Sequence, residues 1–421
     1  MYHPEVISAN VKKLEQAFHC TLRTHTVREI EEWIGRLRDV PAIPDPPPNL
    51  KRKADQHDRR QLSEEEAAFI QNEILLSKVD YRYWAERYSF INVEGAGLAR
   101  LTPFWESQEL ILRELARLEL ETYTGQRLDG LLITLLKARQ LGGSTLSQSL
   151  IAHRATTQNN LFGLIAADAP EQSNYLFDMF ERVLFNLPHY MRPTATEHTK
   201  SPGEIKFDGG TNIWTGAGKS TRGKESERGQ LGRGKTISLG HLSELSTWDD
   251  TKQIDASLIP TMPRTLRTFV LFESTAKGRN DYWHKFWRAS CAGDNRFTPV
   301  FVPWYAEKTK YTAPPPPGWT PALTTLQHAK LCENTGTRWL HRPVRLTKGQ
   351  LFWYEQTRRS YESQERLGLF LENYCANDEE AFQFSGHTVF DVKTVQRIVD
   401  QARPLQNTYE VGPHTLLQRT P

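Results

Sequence analysis

One segment constrains this chain more than any other: Leu131-Leu-Ile-Thr-Leu-Leu136, followed at once by Lys137-Ala-Arg139-Gln140-Leu-Gly142-Gly143-Ser144-Thr145. An apolar run of this length, bounded by glycines, reads as a buried strand. Leu146 to His153 then reads as a helix. A strand that turns through glycines into hydroxyl residues and a helix has the parts that phosphate binding requires. Glycines let backbone N–H groups approach the oxygens, a helix N-terminus presents unpaired donors, and a hydroxyl can ligate Mg2+. The segment fails the pattern GxxxxGK[ST], because Gly143 stands in the lysine slot. A metal alone would leave a triphosphate under-neutralised, so Lys137 and Arg139, at the start of the loop, are the candidate cations. The same residues also fit a plain strand-to-helix connection in which Ser144 and Thr145 cap the helix.

Between about residues 100 and 300, further apolar runs alternate with helical segments. The runs are Leu161–Ala166, Lys235–Leu239 and Thr268–Phe272, and Ala169 to Asn186 reads as a helix ending at Leu187-Pro188. This alternation predicts an α/β fold with a mainly parallel sheet flanked by helices. Thr236 to Glu244 reads as a strand ending in an acid, and Glu244 has the place of a carboxylate that orients and deprotonates water beside phosphates. The run from Thr268 continues into Glu273-Ser274-Thr275-Ala-Lys277-Gly278, where hydroxyls can sense a terminal phosphate; the same residues also make an ordinary turn. Gly216-Ala-Gly218-Lys219-Ser220-Thr221 ends like a phosphate loop but has Ile213 at its first glycine position and no helix-forming run after it. The segment beyond it is basic and glycine-rich. Its Arg222, Lys224, Arg228 and Arg233 can meet DNA phosphates or a neighbouring subunit's nucleotide, or form a solvated loop.

The flanks complete the expected organisation. Residues 1–40 read as a helical segment, and 41–62 as a Pro-rich and basic linker whose Lys51-Arg-Lys53 and Arg59-Arg60 are a phosphate strap or a solvated run. Ser63, three residues before Glu66, predicts a capping box. The main domain is expected over 63–300, a linker subdomain over 301–392 with a helical stretch from Lys348 to Leu369, and a tail over 393–421. The chain has 421 residues, a net charge of +3 and four scattered cysteines. That charge is too small to indicate nucleic-acid binding by itself, so any DNA site must be a local patch. No apolar run reaches the ~20 residues of a membrane span, no secretory leader is seen, and no Cys or His spacing suggests zinc.

In this order the motifs resemble the ATPase half of the large terminase subunit of tailed bacteriophages. The residues carrying the resemblance are Lys137–Thr145, Leu161–Asp168, Asn186–Pro188, Gly232–Gly234, His241–Glu244, Ser274–Gly278 and Tyr374–Phe382, with Leu101–Gln108 upstream. The resemblance implies a P-loop NTPase of the additional-strand type, with the coupling strand between the two Walker strands. It implies ATP and Mg2+ as cofactors and a motor that drives double-stranded DNA into a prohead. Its implied partners are the portal protein, a small terminase subunit and further copies in a ring on the portal, in the bacterial host cytoplasm.

Carried over residue by residue, Gln108 would read the adenine. Lys137, Gln140, Gly142, Gly143, Ser144 and Thr145 would bind ATP, with Ser144 on the metal. Arg139 would act as a finger in cis, Glu244 as catalytic base, and Ser274, Thr275 and Gly278 as the coupling motif. One departure is Ser243, which stands where the family has the Walker B aspartate and would hold the metal's water shell less strongly. The other is length: few residues follow Glu380, and Asp391 and Asp400 are too few for the family's nuclease domain. A fragment or an ATPase-only form is therefore expected, without nuclease activity. Two rival readings remain, a non-hydrolysing nucleotide- or DNA-binding prophage remnant and a helicase-like DNA remodeller.

Overall fold

The computed structural model describes residues 2–37, 62–218, 235–249 and 251–383, and the backbone of 409–412 and 415–419. The elements run α1 (Pro4–Phe18), α2 (Val27–Arg36), α3 (Glu64–Val79), α4 (Tyr81–Tyr88), β1 (Phe90–Val93), β2 (Gly97–Arg100), α5 (Glu106–Tyr123), β3 (Leu131–Lys137), α6 (Gly143–Thr157), β4 (Phe162–Ala167) and α7 (Pro170–Phe185). They continue with β5 (Ala195–Lys200), β6 (Gly203–Phe207), β7 (Asn212–Ala217), β8 (Leu239–Ser243), β9 (Phe269–Ser274), α8 (Tyr282–Ala292) and β10 (Thr298–Val302). Then come α9 (Leu323–Trp339), α10 (Lys348–Glu362), α11 (Leu367–Asn373), α12 (Asp378–Ala381) and the hairpin β11 (Tyr409–Gly412) and β12 (Thr415–Arg419).

The central sheet has eight strands in the order β10-β3-β9-β8-β4-β7-β6-β5. From β10 to β7 all neighbours are parallel; β7–β6 and β6–β5 are antiparallel. Strands β3, β8 and β9 are buried along their whole length, which is why they read as apolar runs rather than alternating ones. Helix α6 covers one face and α8 the other. On the α8 face, Thr134 Oγ1 meets Ser290 Oγ at 2.9 Å and Phe272 packs on Phe286. Strand β9, late in sequence, lies between β3 and β8. This strand order is the one expected of the additional-strand arrangement.

Three details differ from the sequence reading. The strand expected over Lys235–Leu239 starts only at Leu239, because the Ser238 hydroxyl and N–H are engaged with the backbone of Phe162 and the ladder to β9 opens at Leu239↔Phe269. The helix expected from Lys348 to Leu369 is two helices, separated by a turn in which Glu365 adopts φ 58° and Arg366 N–H returns to the Tyr361 carbonyl. Strand β10 extends the sheet beyond residue 300. The Ser63–Glu66 capping box is present, as are those of Thr26–Glu29 and Thr347–Gln350. The linker 41–61, the basic residues within it, Asp391 and Asp400 lie outside the described residues.

The first four helices form a layer beside α5 and α6. At its centre Glu73 is fully buried. Its Oε1 lies 2.7 Å from His25 Nδ1, 2.7 Å from Tyr83 Oη and 3.1 Å from Asn72 Nδ2, and its Oε2 accepts from Tyr88 Oη at 2.7 Å. Both oxygens are thus satisfied, mainly by neutral donors.

Candidate active site

The chain leaves β3 at Lys137, turns through Ala138–Gly142 and enters α6. Gln140 and Gly142 take φ of 53° and 72°, which a tight turn demands and which glycine adopts at least cost. Close approach matters as much as conformation here. A Cβ on Gly142 would lie 2.8 Å from Gln108 Nε2, and one on Gly143 would lie 2.9 Å from Glu273 Oε2. The start of α6 has no side-chain cap, so its first N–H groups remain available. The capping alternative for Ser144 is therefore not the one adopted: its hydroxyl donates to Glu273 Oε1 at 2.5 Å.

Register brings the charged residues together. Ser243 pairs with Glu273, and Glu273 with Leu135. Register partners share a face, and so do residues two apart on one strand. His241, Ser243, Glu273, Leu135 and Lys137 consequently share the α6 face. Glu273 is fully buried. Its Oε1 accepts from Ser144 and, at 3.0 Å, from Ser243 Oγ. The amide of Gln148 meets His241 Nδ1 at 2.6 Å; donation into Nδ1 leaves the ring proton on Nε2, which lies 3.1 Å from the same Oε1. Oε2 has no hydrogen-bond partner among the described residues. Burial alone would raise the Glu273 pKa, but Lys137, His241 and the Ser144 hydroxyl hold it well below the ordinary carboxylate range. For Lys137, burial pulls the ammonium pKa down, and the charges of Glu273 and Glu244 outweigh it and raise it.

Glu244 follows β8 in a left-handed conformation, φ 57° and ψ 42°. Such a geometry is costly for a residue with a side chain and is concentrated at functional sites. The carboxylate is 40% exposed and its Oε1 lies 3.6 Å from Lys137 Nζ. The turn after it is tied to the neighbouring strand: Ser274 Oγ accepts from Ser246 N–H at 3.1 Å and donates to Ser246 Oγ at 2.9 Å. Trp248 Nε1 donates to the Ser243 carbonyl at 3.0 Å.

Of the residues singled out in sequence, Lys137, Ser144, Ser243 and Glu244 meet at this sheet edge, with Gly142 and Gly143 shaping the turn and Thr145 half-buried on the first turn of α6. Gln108 is buried against the turn; its Oε1 accepts from Trp105 N–H at 3.0 Å and its Nε2 donates to the Gly142 carbonyl at 3.2 Å. Its amide thus ties α5 to the turn. Arg139 has an exposed side chain, while its N–H donates to Asn373 and its carbonyl accepts from Tyr311 Oη. Thr275 is half-buried, and Gly278 takes φ 86° at the end of the Ser274–Gly278 segment. Arg222, Lys224, Arg228 and Arg233 lie outside the described residues.

Two participants were not anticipated. Glu273 was visible only as an acid at the end of a strand. Lys310 had no signal: its Nζ donates to the Gln140 carbonyl at 2.6 Å and lies 5.0 Å from the centre of the half-exposed Trp105 ring.

Solved structures with a similar fold include the large terminase of bacteriophage HK97, 14% identical over 70% of this chain and 53% of that one, with a TM-score of 0.44. The ATPase domain of the Thermus phage P74-26 large terminase is 13% identical over 62% of this chain and 92% of that one, at 0.35. The structural likeness is to large terminases. A third, the large terminase of a thermophilic bacteriophage in complex with ATP-gamma-S, is 12% identical over 59% and 52%, at 0.35. The chain spans about half the length of the HK97 protein and of this thermophilic phage's protein. No protein-family model matches the sequence, and no curated protein does. At such scores the likeness says nothing about the chemistry of the site; strand order and interatomic distances do.

Proposed function

We propose that this chain is the ATPase part of a large terminase subunit, hydrolysing ATP to drive double-stranded DNA into a phage prohead. The observation that carries the reading is the 3.6 Å approach of Glu244 to Lys137 across β9, at the edge where the glycine turn enters α6. A cation at a glycine turn that enters a helix, with a half-exposed acid facing it, is what hydrolysis of a phosphoanhydride by water needs. In this reading Lys137 neutralises the phosphates in place of the lysine missing at Gly143, and the α6 N-terminus donates to their oxygens. Arg139, at the rim, adds positive charge as the terminal phosphate leaves. Glu244 orients a water and takes its proton as the water oxygen bonds to the terminal phosphorus and the bond to the bridging oxygen breaks. Ser274, bonded to the turn behind Glu244, passes the change to β9.

Mg2+, when bound, would supply further neutralisation of the phosphates. The Ser144 and Ser243 hydroxyls offer the oxygen donors a hard cation prefers. Among the described residues there is no group of three His, Cys, Asp or Glu to hold a metal, which suits an ion that keeps waters and phosphate oxygens as ligands. The proposed partners are DNA, the portal protein, a small terminase subunit and further copies in a ring, acting in the bacterial host cytoplasm. Among the described residues, no helix is long and apolar enough to cross a membrane.

The test is ATP turnover with and without duplex DNA. Turnover stimulated by DNA, and reduced about 10²- to 10⁴-fold by Glu244→Gln with nucleotide binding retained, is the expected result. Tight nucleotide binding without turnover in the unaltered protein would overturn the motor reading in favour of a binding remnant. Strand separation of a forked duplex would overturn it in favour of a helicase.

A further inference from the structure

Ser243 leaves the metal side of the site without the carboxylate that P-loop enzymes place at the end of the strand beside the catalytic acid. We propose that Glu273, one strand over, supplies it, so that this chain holds its Mg2+ water shell from β9 instead of β8. The inference rests on the nucleotide site proposed above and adds to it the residue on which metal affinity depends.

The geometry supports the assignment at three points. Glu273 is in direct register with Ser243, so moving the acid from one strand to the other displaces it by a single strand spacing, ~4.8 Å. The longer glutamate reaches the required spot: its Oε1 accepts the proton of Ser144. A hydroxyl that gives its proton to a carboxylate keeps its lone pairs for a cation. Finally, Oε2 is buried and without a partner among the described residues, although three groups crowd around Oε1. A bare carboxylate oxygen in a protein interior is costly unless something fills its place, and a metal-bound water is a donor of the right kind. Oε2 also lies 2.9 Å from where a Gly143 Cβ would be, which sets it at the foot of α6 beside Ser144.

A role limited to neutralising Lys137 predicts a different outcome, and Mg2+-dependent nucleotide binding separates the two. The affinity of a fluorescent ADP analogue is measured with EDTA and across a Mg2+ titration for the unaltered protein, Glu273→Gln and the swap Ser243→Asp/Glu273→Ser. Glu273→Gln is expected to weaken apparent Mg2+ affinity roughly 10- to 100-fold while metal-free ADP affinity is unchanged or tighter. The swap, which returns the acid to β8, is expected to restore the Mg2+ response. Full Mg2+ enhancement in folded Glu273→Gln overturns the proposal. Should that variant fail to fold, a folded swap variant lacking the enhancement overturns it, and one possessing it supports it. If the unaltered protein binds no nucleotide in either condition, the nucleotide site itself is wrong, a failure distinct from that of Glu273.

Discussion

Glu73 and Glu273 are both fully buried carboxylates, one in the helical layer and one in the central sheet, and they are solvated by protein in different ways. Around Glu73, His25, Asn72 and Tyr83 serve one oxygen and Tyr88 the other. Around Glu273, one oxygen is crowded, the other has no partner among the described residues, and a lysine and a histidine stand close by. The first arrangement is complete and holds helices together. The second leaves one oxygen without a partner among the described residues. Burial alone does not distinguish these two acids; the distribution of donors over their two oxygens does.

Removing the nearby cation should have the largest effect. Lys137→Ala leaves Glu273 buried without its main compensating charge, and a loss of about 3 kcal/mol in urea unfolding is expected. Lys137→Ala/Glu273→Ala should recover part of it; strict additivity in that cycle would show that the two charges do not interact, and the contrast with Glu73 would disappear.

A smaller loss, about 1–3 kcal/mol, is expected for Glu73→Gln, whose amide would turn N–H groups toward phenol and imidazole donors. The Mg2+ dependence of nucleotide binding should be untouched in this variant, and a change there would erase the distinction between the two acids.

The smallest effect is a pH response. The Glu273 carboxyl titrates lower in the folded chain than its ordinary value of 4.5. Its contribution to stability is therefore present above that pH and is lost as pH falls below it, by at most about 1.4 kcal/mol per unit. Glu273→Gln should flatten this part of the stability profile between pH 4.5 and 3, measured by urea unfolding at each pH. An unchanged slope would mean that Glu273 is no better stabilised than an exposed acid.

Much of the sheet was legible because its central strands are buried on both faces, so β3, β4 and β9 appear as apolar runs and α6 and α7 follow as helices. Strands β5–β7 were not, since Ala195–Lys200 is largely exposed and polar and its pairing is set by contacts with β6 and β7. Strand β10 was missed as well, with Pro299 in a five-residue run. At the site, the turn and Glu244 could be read locally, as strand ends with particular chemistry. Glu273 could not, because its meaning depends on lying beside a serine 30 positions away in sequence, a fact of register that no local pattern contains. Gln108 illustrates the converse: the motif drew attention to it, and the structure shows its amide fastened to Trp105 and Gly142.

Adjacent residues on a strand point to opposite sides, and β9 uses this at its last two positions. Glu273 grips the foot of α6 through Ser144, while Ser274 grips Ser246 in the turn that follows Glu244. One strand end therefore holds both the start of α6 and the turn after Glu244, one on each of its two sides.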